Sequence, residues 1–298
     1  MTRRAAVALA AALMLSGCGL FARKPPLPPA PAQYTLGGPY QLGGVWYYPR
    51  DQIEYEATGL AALIPDHGGL TADGERFDAT ALAASHRTLQ LPAIARVTNL
   101  ETGRQILVRL NDRGPENPGR LVGLTRHAAD LLGASDGTQI RVALDAGLTR
   151  ALTEQVGGGP KLSVAAAPRT AVTAEQLAPP PGIGQSNRGR SVRATTAASA
   201  AVTEASAKVP DRLTDQVTQG PAAPGSIILR ADEFSRVDYA NREVAKLSGL
   251  HASVERVHQG RSDSYRVRAG PFASVAAADA ALDQARRAGV IDSHLVVE

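Results

Sequence analysis

Thr71 to Asp78 reads TADGERFD, which sets two carboxylates, Glu75 and Asp78, three residues apart around Arg76 and Phe77. Eight residues further on, ALAASHR supplies His86, and a third carboxylate, Asp112, stands in NDRGP beside Arg113. A carboxyl group raised in pKa by apolar surroundings donates a proton near neutral pH, and a second polar group can orient it or steady positive charge. Ala-Asp-Gly-Glu is also good turn sequence. The residues alone therefore leave two readings open, a solvated acidic turn or an acid/base centre. The six His make no HxxxH or HxH pair and the single Cys has no Cys partner, so neither a metal nor a cofactor is expected.

The elements around these residues point to a small β-rich domain over 58–147. ARVTNL (95–100) and QILVRL (105–110) read as strands joined by a turn at Glu101–Arg104. Period two puts Ile106, Val108 and Leu110 on one face of the second strand. Asn111–Pro115 breaks that strand. Thr125 caps a helix over Arg126–Leu132, Gly133 stops it, and Gln139–Leu144 is a last strand. About six short strands and one helix in this span suggest a small barrel. From Asp78 to Glu233 there is no Phe, Tyr or Trp, so that barrel has to pack with aliphatic side chains.

The rest of the 298 residues divides by composition. Arg3-Arg4, an apolar stretch over Ala5–Leu15 too short to span a bilayer, and Leu15-Ser16-Gly17-Cys18 have the layout of an export signal over 1–17. LSGC resembles a bacterial lipobox, which makes Cys18 the expected lipidation site and membrane anchor. Each buried CH₂ of such an anchor contributes about 0.8 kcal/mol. Gly19 rather than Asp follows, pointing to the outer membrane on its periplasmic face. Residues 18–33 carry the Pro-rich tether RKPPLPPAP. Residues 34–57 are an aromatic lead-in punctuated by Gly-Gly pairs. Ala, Thr, Ser, Pro and Gly dominate 148–224, read as a disordered linker. Residues 225–298 hold two βαβ units, expected to form a βαββαβ domain with one antiparallel four-stranded sheet. A net charge of +4 without a long Lys/Arg run or interleaved aromatics argues against nucleic acid as a partner.

The C-terminal unit resembles the sporulation-related repeat (SPOR), a peptidoglycan-binding module, most clearly in Tyr265-Arg266-Val267-Arg268-Ala269-Gly270-Pro271-Phe272. That resemblance implies a sheet that holds glycan strands lacking stem peptides, with Arg230, Phe234, Tyr265, Arg266, Arg268 and Phe272 as contact residues. The aromatic lead-in, TADGERFD, ALAASHRTL, VTNLETGR and NDRGP resemble the rare lipoprotein A family. The resemblance implies a six-stranded double-psi β-barrel and lytic transglycosylase activity at the division septum, with division-site proteins as further partners. Glu75 would be the general acid/base, Asp78 and Asp112 the supporting carboxylates, and His86 the orienting group. Phe77 and Arg113 would meet substrate. This chain departs from the family pattern twice. Ala62-Leu63-Ile64-Pro65 stands where an aromatic run is usual, and Gly123 stands at a usual Asp. A glycan-binding lipoprotein without turnover is therefore the alternative reading.

Overall fold

The computed structural model describes residues 31–157, 208–259 and 262–298. The export segment, Cys18, the tether up to residue 30, and residues 158–207 of the expected linker lie outside the described residues.

The lead-in forms a hairpin, β1 (Tyr40–Leu42) and β2 (Val45–Tyr47), turned at Gly43 and Gly44. Both glycines have positive φ, which a side chain would strain. Six strands follow: β3 (Glu56–Leu63), β4 (Ala83–Ser85), β5 (Ala93–Asn99), β6 (Arg104–Asp112), β7 (Val122–Leu124) and, after helix α1 (Arg126–Leu132), β8 (Gln139–Leu144). They pair in the order β4-β7-β3-β8-β5-β6, and a β4–β6 pairing closes the barrel. The β3–β7 and β4–β6 pairs are parallel and the others antiparallel, the pattern of a double-psi barrel. The hydrophobic side chains buried in its core cluster are all aliphatic, as the missing aromatics require. Ile106, Val108 and Leu110 point into that core, while Arg109 and Asn111 alternate to the other face of β6.

Helix α1 has the expected bounds, because its signals are local. Thr125 accepts from the Ala128 amide, and Gly133 closes it in the left-handed region at φ 65°.

The span expected to be linker behaves differently at both ends. Helix α2 (Ala146–Gln155) is capped by Asp145 and buries Leu152 against Ile94. Residues 208–225 run as a strap around the barrel. Val209 is buried beside Leu152, and β9 (Thr218–Gln219) adds a short strand to β6. Arg212 pairs with Asp78 at 3.1 Å, and Asp215 lies 3.0 Å from His127. Gly103, at φ +78°, lies so close to the Gly220 main chain that a Cβ has no room. The strap lacks apolar density of its own, and the barrel supplies its partners.

The C-terminal module comprises β10 (Ile227–Phe234), α3 (Val237–Lys246), β11 (Ser253–Gln259), β12 (Ser262–Phe272), α4 (Val275–Arg287) and β13 (His294–Val297). Its antiparallel sheet has the order β11-β12-β10-β13. Leu60 and Leu100 of the barrel join its hydrophobic core. The Thr58 hydroxyl donates to the Val297 carbonyl at 2.6 Å. Arg120, almost fully buried, bridges Asp136 of the barrel and Asp279 of α4 at 2.8 and 2.7 Å. The module is thus docked on the barrel by a buried arginine with two solvent-touching carboxylate partners and by apolar contacts.

Candidate active site

TADGERFD folds as a turn, as its composition indicates. The Gly74 amide donates to the Thr71 carbonyl at 2.9 Å, and Gly74 sits at φ +91°. The turn is tied to the end of β6. Asp73 donates its amide to the Asn111 carbonyl, and the Ala72 amide donates to Asp112 Oδ1 at 2.9 Å. This places the Glu75 carboxylate over the outer face of β6. Its Oε1 meets Arg109 Nη2 at 2.6 Å and its Oε2 accepts from Asn111 Nδ2 at 2.9 Å. Arg109 is nearly buried, while Glu75 keeps 21% side-chain exposure. A groove of about 280 Å³ opens here, lined by Glu75, Phe77, Asp78, Arg109 and Asn111, with Arg212 and Leu213 of the strap on its far side.

Asp73 lies beneath Glu75 and was not singled out by its sequence context. It is 1% exposed. Its Oδ1 accepts from the Thr71 hydroxyl at 2.7 Å and the Glu75 amide at 3.1 Å. Its Oδ2 is buried without a hydrogen-bond partner among the described residues, as is Arg109 Nε. Burial first, and then the charge of Glu75, push its pKa up to about 6. The turn sequence gave no sign of this, because the burial comes from the β6 residues that arrive over it.

Asp78 is more exposed. Its Oδ1 accepts from the amide and hydroxyl of Thr80 and its Oδ2 pairs with Arg212. These bonds, the Thr80 hydroxyl above all, hold its carboxyl below the usual carboxylate range. Phe77 is buried and stacks on His67 at 4.4 Å between centroids, and His67 Nε2 lies 3.7 Å from Asp112 Oδ2.

His86 does not join this groove. Its amide donates to the Asp112 carbonyl at 3.0 Å, which keeps the two residues adjacent through their main chains. Its ring turns away. Nδ1 accepts from the amides of Thr88 and Leu89, and Nε2 lies 3.0 Å from the Tyr55 hydroxyl. With Nδ1 accepting, the proton of the neutral ring sits on Nε2 and faces the Tyr55 oxygen. Burial first, then Arg87 and Arg113, push the His86 pKa down to about 3. Arg113 is also committed elsewhere. Its guanidinium donates to the carbonyls of Leu89 at 2.5 Å and Leu36 at 2.7 Å, pinning the lead-in to the barrel. The structure therefore brings together Glu75, Phe77 and Asp78, sets Asp112 at the rim of the TADGE turn, and leaves His86 and Arg113 outside the groove.

Gly123 and Ile64, two departures from the family pattern, are neighbours. A Cβ on Gly123 would fall 2.9 Å from Ile64 Cγ1 and closer still to Ser85 Oγ. The Ile64 amide bonds the Leu124 carbonyl at 2.8 Å. Ser85 and Ile64 together therefore fill the space a side chain at 123 would need.

On the module, Arg230, Arg266 and Arg268 share the sheet face away from the helices. Arg230 pairs with Glu298, Arg266 with Glu233 at 3.0 Å, and Arg268 with Glu255 and Glu298 at 3.8 and 3.5 Å. The three aromatics expected to contact glycan do not share that face. Tyr265 pairs across strands with Phe234, and Phe272 with Ile227, and all three aromatics pack on the hydrophobic core. Period two accounts for Tyr265, which alternates with Arg266 and lies with the buried Val267 and Ala269, while Phe234 and Phe272 lie beyond register shifts in the β10–β12 pairing.

Comparison with known proteins fits this geometry. A family profile described as Lytic transglycolase matches residues 56–144, and a SPOR domain profile matches 223–296. The endolytic peptidoglycan transglycosylase RlpA of Pseudomonas aeruginosa is 32% identical over 265 residues, covering 87% of this chain and 76% of that protein. RlpA of Yersinia pestis is 38% identical over 156 residues, covering 44% of this chain. That alignment spans only 42% of the Yersinia relative. A crystal structure of the RlpA SPOR domain from P. aeruginosa aligns at 28% identity and a TM-score of 0.23, covering 24% of this chain and 99% of that one.

Proposed function

The chain belongs to the RlpA family of endolytic peptidoglycan transglycosylases, and we propose that it cleaves glycan strands lacking stem peptides, with Glu75 as the acid/base. Glu75 protonates the leaving O4 as the C1–O4 bond breaks. It then takes the proton of the C6 hydroxyl as O6 bonds to C1 and closes a 1,6-anhydro ring. The proton returns to Glu75 and no water is consumed. Arg109 and Asn111 stabilise the carboxylate between the two transfers. Asp73, with its pKa near 6, keeps a second titrating carboxyl directly beneath it. The observation that supports this reading is the position of Glu75, reachable from the groove and held at both oxygens. Cys18 would anchor the protein in the outer membrane, and the module would hold it on septal glycan.

The test is incubation of the full chain with amidase-treated sacculi. The reading requires 1,6-anhydro products that disappear with Glu75→Gln. Equal product from the variant would overturn it. A second reading, glycan binding without turnover, draws on the space beside Gly123 being filled by Ser85 and Ile64, which leaves no room for a side chain there. It requires sedimentation with sacculi and no anhydro products.

A further inference from the structure

A second cleft, of about 410 Å³, opens where the lead-in hairpin, the barrel and the C-terminal module meet. It shares no lining residue with the Glu75 groove. Trp46 and Tyr48 line it and are 56% and 59% exposed. Tyr55 and His86 lie deeper, and the Arg87 guanidinium sits 5.2 Å from the centre of the Tyr47 ring. The module contributes His294. Exposed aromatics beside polar side chains in a cleft of this size are characteristic of a ligand site rather than of core packing.

The cleft is continuous with the open sheet face of the module. His294 on β13 pairs directly with Arg230 on β10, and Arg230 pairs directly with Arg268 on β12. Directly paired residues share a face. At a strand spacing of about 4.8 Å, this row carries polar donors roughly 10 Å from the cleft across the sheet.

We infer that the cleft is a glycan subsite. A β-1,4-linked amino-sugar strand held on the sheet face runs past His294 and lays a sugar ring against Trp46 and Tyr48. A sugar ring offers an apolar C–H face for the aromatics and a rim of hydroxyls for the polar side chains Arg50, Asp292 and His294 of the lining. The assignment rests on the peptidoglycan reading above but not on turnover, since nothing in this cleft is placed to transfer a proton to a glycosidic bond.

Trp46 is the only tryptophan in the chain, so its fluorescence reports on this cleft alone. Soluble glycan strands freed of stem peptides are titrated into the full chain in detergent. Trp46 emission is expected to change saturably, and Tyr48→Ala to weaken the apparent affinity roughly two- to tenfold, the scale of one aromatic contact. Tyr48 is exposed, so the variant is expected to keep its fold, checked by thermal unfolding. Unchanged emission at glycan concentrations that saturate co-sedimentation overturns the subsite, as does unchanged affinity in Tyr48→Ala. Saturable emission without anhydro products keeps the subsite and removes the catalytic reading. Products without an emission change do the reverse.

Discussion

The two clefts differ in how their polar groups are held. In the Glu75 groove, charges face each other: Glu75 with Arg109, Asp78 with Arg212, and a buried Asp73 with one oxygen unpartnered. In the aromatic cleft, the two deepest titrating groups, His86 and Tyr55, are held neutral. His86 is pushed down to about 3, and burial pushes Tyr55 up to about 12. The first arrangement is suited to moving a proton and the second to holding an uncharged ring. Residues that look like one catalytic set in the sequence are thus divided between two separate clefts.

The comparison can be broken most strongly at the domain junction. Arg120→Ala removes the clamp between Asp136 and Asp279 and leaves buried space and unpaired carboxylates. Both carboxylates keep solvent contact, so the loss is mainly that of the packed guanidinium and its bonds, and stability is expected to fall by about 2 kcal/mol. Because only the aromatic cleft takes a wall from the module, Trp46 should lose its glycan response while the Glu75 groove survives. Equal loss at both sites, by emission and by product release, would merge the clefts.

Asp73→Asn acts on the charged groove alone. The folded-state pKa of Asp73 is raised above its unfolded value, so its contribution to stability is present below about pH 4 and is lost as pH rises through about 6. The asparagine variant is expected to remove that slope, gaining about 2 kcal/mol over the wild type at pH 7 and little at pH 4. Thermal unfolding across this range checks it. A parallel pH dependence in both proteins would assign the titration elsewhere.

How much of this was legible in the sequence depended on the range of the interactions. Helix α1, strand β8 and the repeated βαβ units were legible because caps, a stop glycine and periodicity are local signals. Glu75 and Asp78 were legible as a pair in one groove. The turn of the His86 ring toward Tyr55 was not, because the two amides that fix it belong to Thr88 and Leu89, and Tyr55 arrives from before β3. The burial of Asp73 depends on β6, and the strap over 208–225 depends on partners across the barrel. The aromatic segment of the module was legible as a motif, but the face its rings occupy follows from pairing register.

His86→Gln sharpens the division further. If His86 serves the aromatic cleft, the shape of the pH profile for product release stays unchanged between pH 5 and 8, while glycan affinity by Trp46 emission falls. A lost limb in that profile would return His86 to the chemistry. The smallest expected effect is that of Arg212→Ala. Its pair with Asp78 is exposed on both sides, so stability should change by less than about 1 kcal/mol, and less at high salt. Chemical unfolding at low and high ionic strength measures this.

The most direct test of the central claim compares wild type and Glu75→Gln at glycan concentrations that saturate the Trp46 response. The account predicts equal occupancy of the aromatic cleft and a fall in 1,6-anhydro product release on the order of 10² to 10⁴-fold. Equal occupancy with undiminished product release would contradict it.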